Sequence, residues 1–114
     1  MYNNQIIGLA EEICQNTIKI LKSLGNIKTC GFTLLYPNSS LDIHTDAVGP
    51  SFNSMTLNMS LTGTNSDLNI YFNNVKYTYD YEHGKAVIFN SELYHNACNN
   101  GSTYRVILYI DFEL

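Results

Sequence analysis

The sequence predicts a mainly β fold, a two-sheet jelly roll or small barrel with one N-terminal α-helix, built as a single domain over residues 1–114. Three observations lead there. Apolar side chains recur every three to four positions from residue 3 to 24, the period of an amphipathic helix. From Ile27 onward the period falls to two, and about eight short runs follow one another, each closed by Asn, Gly, Pro or Ser. A length of 114 residues supports one hydrophobic core and not two.

Within residues 3–24 the apolar stripe is Ile6, Leu9 or Ala10, Ile13, Thr17, Leu21 and Leu24, with Glu11, Glu12, Gln15 and Lys19 turned outward. Asn3 or Asn4 can cap its start and Gly25 its end. Such a helix is expected to pack on the outer face of the larger sheet.

The β-core spans about residues 27–113. Strands are predicted from Ile27 to Tyr36, from Ser40 to Asp46 after a Pro37-Asn38-Ser39 turn, and from Ser54 to Thr62 after a break from Ala47 to Asn53. Asp67 to Phe72 and Val75 to Tyr81 are joined by Asn73-Asn74, which favours positive φ in a two-residue hairpin. Lys85 to Asn90, Tyr94 to Cys98 and Thr103 to Phe112 complete the set. In the last of these both faces are apolar, as expected where one lines a cavity and the other lies under the helix. The strand from Ser54 instead alternates Met55, Leu57, Met59 and Leu61 with Thr56, Asn58 and Ser60, and its polar face suits either a wet cavity or solvent.

Composition narrows the function. A net charge of −4 with only six Lys and Arg argues against nucleic-acid partners, which need clustered cations to neutralise phosphate. No apolar run of membrane-spanning length and no secretory leader pattern is present, so the expectation is a cytoplasmic protein without a membrane partner. Cys14, Cys30 and Cys98 are odd in number and lack CxxC spacing, which reads as reduced thiols.

The chemistry concentrates in His44-Thr45-Asp46 and in the stretch from Gly84 to Asp111. On an extended strand residues i and i+2 leave the same face, so His44 and Asp46 can share one metal ion, and His95 completes two imidazoles and a carboxylate. This is the facial triad of non-haem Fe(II) oxygenases. Asn99-Asn100-Gly101-Ser102 reads as a hairpin turn that sets Arg105 directly opposite His95, so its guanidinium would enter the same cavity. There it is suited to clamp the far carboxylate of a dicarboxylic cosubstrate. A His-x-Asp tripeptide alone is a weak signal, since such pairs are common on solvated strands; the four residues together carry the reading. His83 reads as an exposed turn residue, and Asp42 as a solvated carboxylate or an acceptor orienting a ligand. Tyr36, Tyr94 and Tyr104 read as wall or packing residues.

These residues fall in blocks that resemble the aspartyl/asparaginyl β-hydroxylase family of Fe(II)- and 2-oxoglutarate-dependent dioxygenases, cupin-type proteins with a double-stranded β-helix. Gly84-Lys85-Ala86-Val87-Ile88-Phe89, His95, Arg105 and the apolar run ending in Asp111 keep the family's spacing without a gap. A second block runs from Phe32-Thr33 through Pro37 to His44. The resemblance implies Fe(II) on His44, Asp46 and His95, 2-oxoglutarate on Arg105, and O2 as the oxidant. It places Thr33 where the family carries a serine that helps hold 2-oxoglutarate, and Thr56 and Asn58 where the family's basic pair faces the cosubstrate. Asp46 stands where members resembling the animal enzyme have Gly, which aligns this chain with relatives resembling free-amino-acid hydroxylases.

The activity implied is hydroxylation of an amino-acid or peptidyl side chain of Asp, Asn or Pro type, with succinate and CO2 as coproducts and a small molecule or peptide as partner. The chain is shorter than the family's usual catalytic domain, so three expectations stay open for the substrate-holding elements: absent, supplied by the second subunit of a homodimer, or lost from a truncated copy. A non-catalytic cupin-like metal-binding or oligomerisation domain is the alternative.

Overall fold

The computed structural model describes residues 1–2, 8–46 and 54–113. Two short helices, α1 (Ala10–Ile13) and α2 (Gln15–Leu24), precede eight strands: β1 (Ile27–Leu35), β2 (Ser39–Ser40), β3 (Ser54–Thr62), β4 (Ser66–Phe72), β5 (Val75–Asp80), β6 (Ala86–Phe89), β7 (Tyr94–Asn99) and β8 (Arg105–Glu113). They form two antiparallel four-stranded sheets of order β1-β8-β3-β6 and β2-β7-β4-β5. The sheets face each other, and the mainly β jelly roll read from the sequence is the fold found.

The period-2 pattern of β8 explains how this strand serves both layers. Ile107 turns inward and packs with Leu68, Tyr81 and Phe89 between the sheets, while Ile110 turns outward and packs with Ile18 and Leu21 of α2, Ile27 and Cys30. Burying Ile18 and Leu21 in this way contributes roughly 1.5–3 kcal/mol each. The inter-sheet cluster stiffens the walls of the interior on which the site is built. At the β4–β5 connection Asn73 and Asn74 adopt φ of 50° and 61°, the two-residue hairpin geometry expected for Asn-Asn.

The N-terminal helix departs from expectation. It is interrupted at Cys14, whose φ of −120° and ψ of 43° are not helical. The interruption resets the helical phase, so among the described side chains of these helices only Ile18 and Leu21 are buried on the sheet, and Leu9, Ile13 and Leu24 of the expected stripe stay exposed. Asn3, Asn4 and Ile6 lie outside the described residues, as does the break from Ala47 to Asn53. Neither sheet is the larger; the helix packs on the one containing β1 and β8.

Two strand assignments also change. Between Ser40 and Asp46 only Ser39–Ser40 pair as a strand, followed by a single bridge from His44 to His95. Asn99 to Ser102 is not a hairpin: β7 pairs with β4 and β2, whereas β8 pairs with β1 and β3. Arg105 therefore stands opposite Leu35, not His95. The crossing from one sheet to the other is held by the fully buried Asn99. Its Nδ2 donates to the carbonyls of Leu35, Tyr36 and Thr103 at 3.1, 3.0 and 2.9 Å, and its Oδ1 accepts from Gly101 N at 3.1 Å. Gly101 passes so close to the Thr64 carbonyl that any Cβ would collide with it. Among the described residues no helix is long and apolar enough to cross a membrane.

Candidate metal centre

His44 and His95 lie on neighbouring backbones that exchange both hydrogen bonds, His44 N to His95 O at 3.0 Å and His95 N to His44 O at 2.9 Å. Asp46 follows two residues on, its own N–H donating to Ser91 O at 2.9 Å. The three side chains converge: His44 Nε2 and His95 Nε2 each lie 3.5 Å from a carboxylate oxygen of Asp46, and the ligand atoms all fall within 4.8 Å of one another.

The ring orientations are set by the backbone. His44 Nδ1 is 2.7 Å from Asp42 O and His95 Nδ1 is 2.8 Å from Leu93 O. A carbonyl only accepts, so each Nδ1 carries the hydrogen and each neutral ring turns an Nε2 lone pair toward the common point. Asp42 thus orients His44 through its main chain and not through its carboxylate. Two imidazole lone pairs and a carboxylate facing one another repel unless a cation lies among them. The donor set consequently fits a divalent ion of the Fe, Mn or Zn type. His95 is buried, at 5% exposure, with Phe89 edge-on to its ring at 5.2 Å.

The electrostatics agree with this arrangement. The His95 ring, with Nε2 at 3.5 Å, holds the Asp46 carboxyl below its ordinary pKa although burial opposes it. Burial works against a charged His95, but Asp46 and the Leu93 carbonyl together outweigh it and raise the imidazole above its ordinary value. Each partner favours positive charge at the meeting point.

The centre opens into a cavity of about 210 Å³ that Thr33, Leu41, Asn58, Leu68, Tyr81, Ala97, Arg105 and Tyr109 also line. Arg105 reaches it from β8 on the facing sheet. Only 3% of this residue is exposed, its Nε and Nη1 have no hydrogen-bond partner, and no carboxylate pairs with it among the described residues. Its guanidinium lies 5.4 Å from the centre of the Tyr81 ring. Burial draws its pKa below the ordinary arginine value, and the Tyr81, Cys98 and Asp67 groups offset this only in part. A buried, unmatched guanidinium is costly, so it marks a place for an anion.

The other sequence-predicted positions divide. Thr33 lines the cavity at its exposed rim and Asn58 lines it from β3, donating through Nδ2 to Tyr81 Oη at 3.0 Å. Thr56 is fully buried on the same face, but its hydroxyl donates to Asp111 Oδ1 at 3.1 Å and it does not line the cavity. The polar face of β3 is therefore an interior one. His83 is exposed in its turn. Tyr81 escaped the sequence reading; the only signal was a bulky residue ending a strand, which is ordinarily packing.

Fold and site together define a cupin-type jelly roll with a candidate metal centre between its sheets. The family described as aspartyl/asparaginyl β-hydroxylase matches residues 1–114, and the chain belongs to that family. An uncharacterized protein of Acanthamoeba polyphaga mimivirus is 30% identical over 119 residues; the match covers 100% of this chain but only 41% of the relative. Among solved structures the chain resembles a predicted oxalate decarboxylase from Thermotoga maritima, with a TM-score of 0.55 and 17% identity over 82% of this chain and 73% of that one. It also resembles an oxalate oxidase in complex with glycolate, with a TM-score of 0.62 and 15% identity over 74% of this chain and 41% of the other. The cupin domain of Schizosaccharomyces pombe Cnp3 aligns at a TM-score of 0.56 and 10% identity, over 79% of this chain and 58% of that domain. At such identities these three likenesses establish the cupin fold.

Proposed function

We propose that the chain is an Fe(II)- and 2-oxoglutarate-dependent hydroxylase of an amino-acid or peptidyl side chain. The observation that carries this reading is the pairing, in one cavity, of a convergent two-histidine, one-carboxylate set with a buried guanidinium that has no anion of its own. His44, Asp46 and His95 would hold the iron, which when bound supplies the redox chemistry coupling O2 to both oxidations.

The rest falls to this chain's residues. Arg105 would take the far carboxylate of 2-oxoglutarate in a two-point contact, with its plane steadied by the Tyr81 ring. Asn58 fixes the Tyr81 hydroxyl, and Thr33 adds a hydroxyl at the rim. Leu68, Phe89 and Ala97 keep water from the reacting atoms. In the overall reaction 2-oxoglutarate loses CO2 and gains one atom of O2 to become succinate, while the other atom enters a C–H bond as hydroxyl. Each oxidation supplies two electrons of the four that O2 accepts.

Uncoupled turnover needs no known substrate and so gives the test. The chain supplied with Fe(II), 2-oxoglutarate and air should release succinate, and Arg105→Ala should release far less at the same cosubstrate concentration. Iron binding without succinate release would sink the enzymatic reading in favour of a non-catalytic cupin.

A further inference from the structure

Arg105 is the chain's single arginine, and the other cations are five lysines. None of the lysines lines the cavity. Lys19 and Lys22 belong to α2, on the outer side of its sheet, and Lys28 lies 3.2 Å from Glu113. Lys76 is exposed on β5, and Lys85 is exposed and 2.6 Å from Glu82. Residues 3–7 and 47–53 contain neither Lys nor Arg. The third histidine, His83, is in an exposed turn.

On the reading proposed above, a divalent ion, a dicarboxylate, Asp46 and Arg105 sum to zero charge, so the loaded cavity is neutral with its only guanidinium engaged. A carboxylate entering next would be desolvated with no cation to meet it. Among the described residues the rim offers none: Thr33 and Leu41 are the lining residues that are exposed, and Leu68, Phe89 and Ala97 continue an apolar wall inward. A net charge of −4 disfavours the approach of anions further.

We infer that the side chain admitted to this site is uncharged, an amide or an apolar group, and that an aspartate or glutamate carboxylate is rejected. The inference rests on the proposed function and narrows its substrate class. The hydroxylated bond is then a C–H of a neutral side chain, with 2-oxoglutarate and O2 as co-reactants and succinate and CO2 released.

The test offers the chain, with Fe(II), 2-oxoglutarate and air, matched peptide libraries that differ at one central position, either Asp and Glu or Asn, Gln, Pro and Leu. Products are read as the mass gain of one oxygen. Binding of the same peptides without O2 is read from tyrosine fluorescence, which no Trp obscures in this chain. The uncharged set should gain oxygen and bind tighter by on the order of 10-fold or more. Equal or better use of the carboxylate set overturns the inference and leaves the proposed function standing; a failure of every uncharged residue to gain oxygen while succinate still forms also overturns it and leaves standing the 2-oxoglutarate chemistry alone. Absence of succinate under all conditions removes the proposed function and this inference together.

Discussion

His44 and His95 form one antiparallel bridge in which each backbone N–H donates to the other's carbonyl, and their rings lie 4.4 Å apart in consequence. Residues paired this way present their side chains on one face, so main-chain hydrogen bonds set the spacing of the two imidazoles. Asp46 extends past the bridge and turns back between them. The spacing of the two imidazoles is therefore a property of the main chain.

It follows that single ligand replacements should cost metal and not fold. His44→Ala, Asp46→Ala and His95→Ala should each weaken Fe(II) binding by more than the roughly 10- to 100-fold lost when only a supporting partner of a ligand is removed. Thermal unfolding of the metal-free proteins should stay cooperative. Near-normal iron occupancy in any one variant, measured after gel filtration, would remove that residue from the centre. Asp46→Gly is the milder case, because the family branch with Gly at this position leads us to expect partial succinate formation.

The i, i+2 spacing of His44 and Asp46 was legible because it needs only two residues in extended backbone, and these are extended without belonging to a full strand. Arg105 lines the same cavity as His95, but from the facing sheet and not from across a hairpin. Asn, Gly and Ser between two apolar runs mark a reversal equally well for a hairpin and for a crossing between sheets. What separates the two is the pairing of β7 with β4 and of β8 with β1 and β3, which local sequence does not encode. The polar face of β3 was ambiguous for a similar reason: alternation reports that two faces differ, not which one meets water. The helix broke at Cys14 with no Gly or Pro beside it, so nothing in the pattern announced the interruption.

Arg105 separates a functional cation from a structural one. Its Nε and Nη1 are buried without partners, so Arg105→Ala should leave the melting temperature unchanged or raised. The 2-oxoglutarate requirement for succinate release should rise roughly 10- to 200-fold, from the roughly 1.5–3 kcal/mol of a charge-assisted contact. Arg105→Lys should recover part of this, since an ammonium cannot make the planar two-point contact. A marked fall in melting temperature with an unaltered 2-oxoglutarate requirement would assign the guanidinium a structural role.

Tyr109 gives the cavity wall a pH signature. Burial, with Asp111 and Asp46 nearby, pushes its phenol from the ordinary 10.0 up to about 12. The neutral phenol is what the fold prefers. The unfolded chain releases this proton first, so the contribution to stability is whole below pH 10 and is lost as the pH rises toward 12. Tyr109→Phe should flatten the decline of stability across that interval, and the absorbance titration of the folded protein should lose one late-ionising tyrosine. Tyr81, raised in the same direction mainly by burial, should remain as another. An unchanged alkaline limb in Tyr109→Phe would show that the phenol is not shielded in this way.

Asn99 ties the scaffold to the site. Its amide group is shared among the carbonyls of Leu35, Tyr36 and Thr103, and its oxygen takes the Gly101 N–H, so one side chain fixes the end of β1, the end of β7 and the entry to β8 two residues before Arg105. Asn99→Ala takes the donor from the Leu35 and Thr103 carbonyls and the acceptor from the Gly101 N–H, while the Tyr36 carbonyl keeps the Ser39 hydroxyl at 2.6 Å. The cost should be about 1–3 kcal/mol per group left unsatisfied, read as a lower denaturant midpoint at similar slope. Asn99→Asp should be worse, because a carboxylate would face three carbonyl oxygens with nothing to donate. If Asn99 positions Arg105, whichever variant still folds should need more 2-oxoglutarate while binding Fe(II) nearly normally, since Asn99 bonds Thr103 two residues before Arg105, whereas His95, four residues earlier on β7, is held by its own backbone exchange with His44. Iron and 2-oxoglutarate requirements that weaken together would point to general loosening of the fold, and a neutral Asn99→Ala would remove the crossing from the account of how Arg105 is placed.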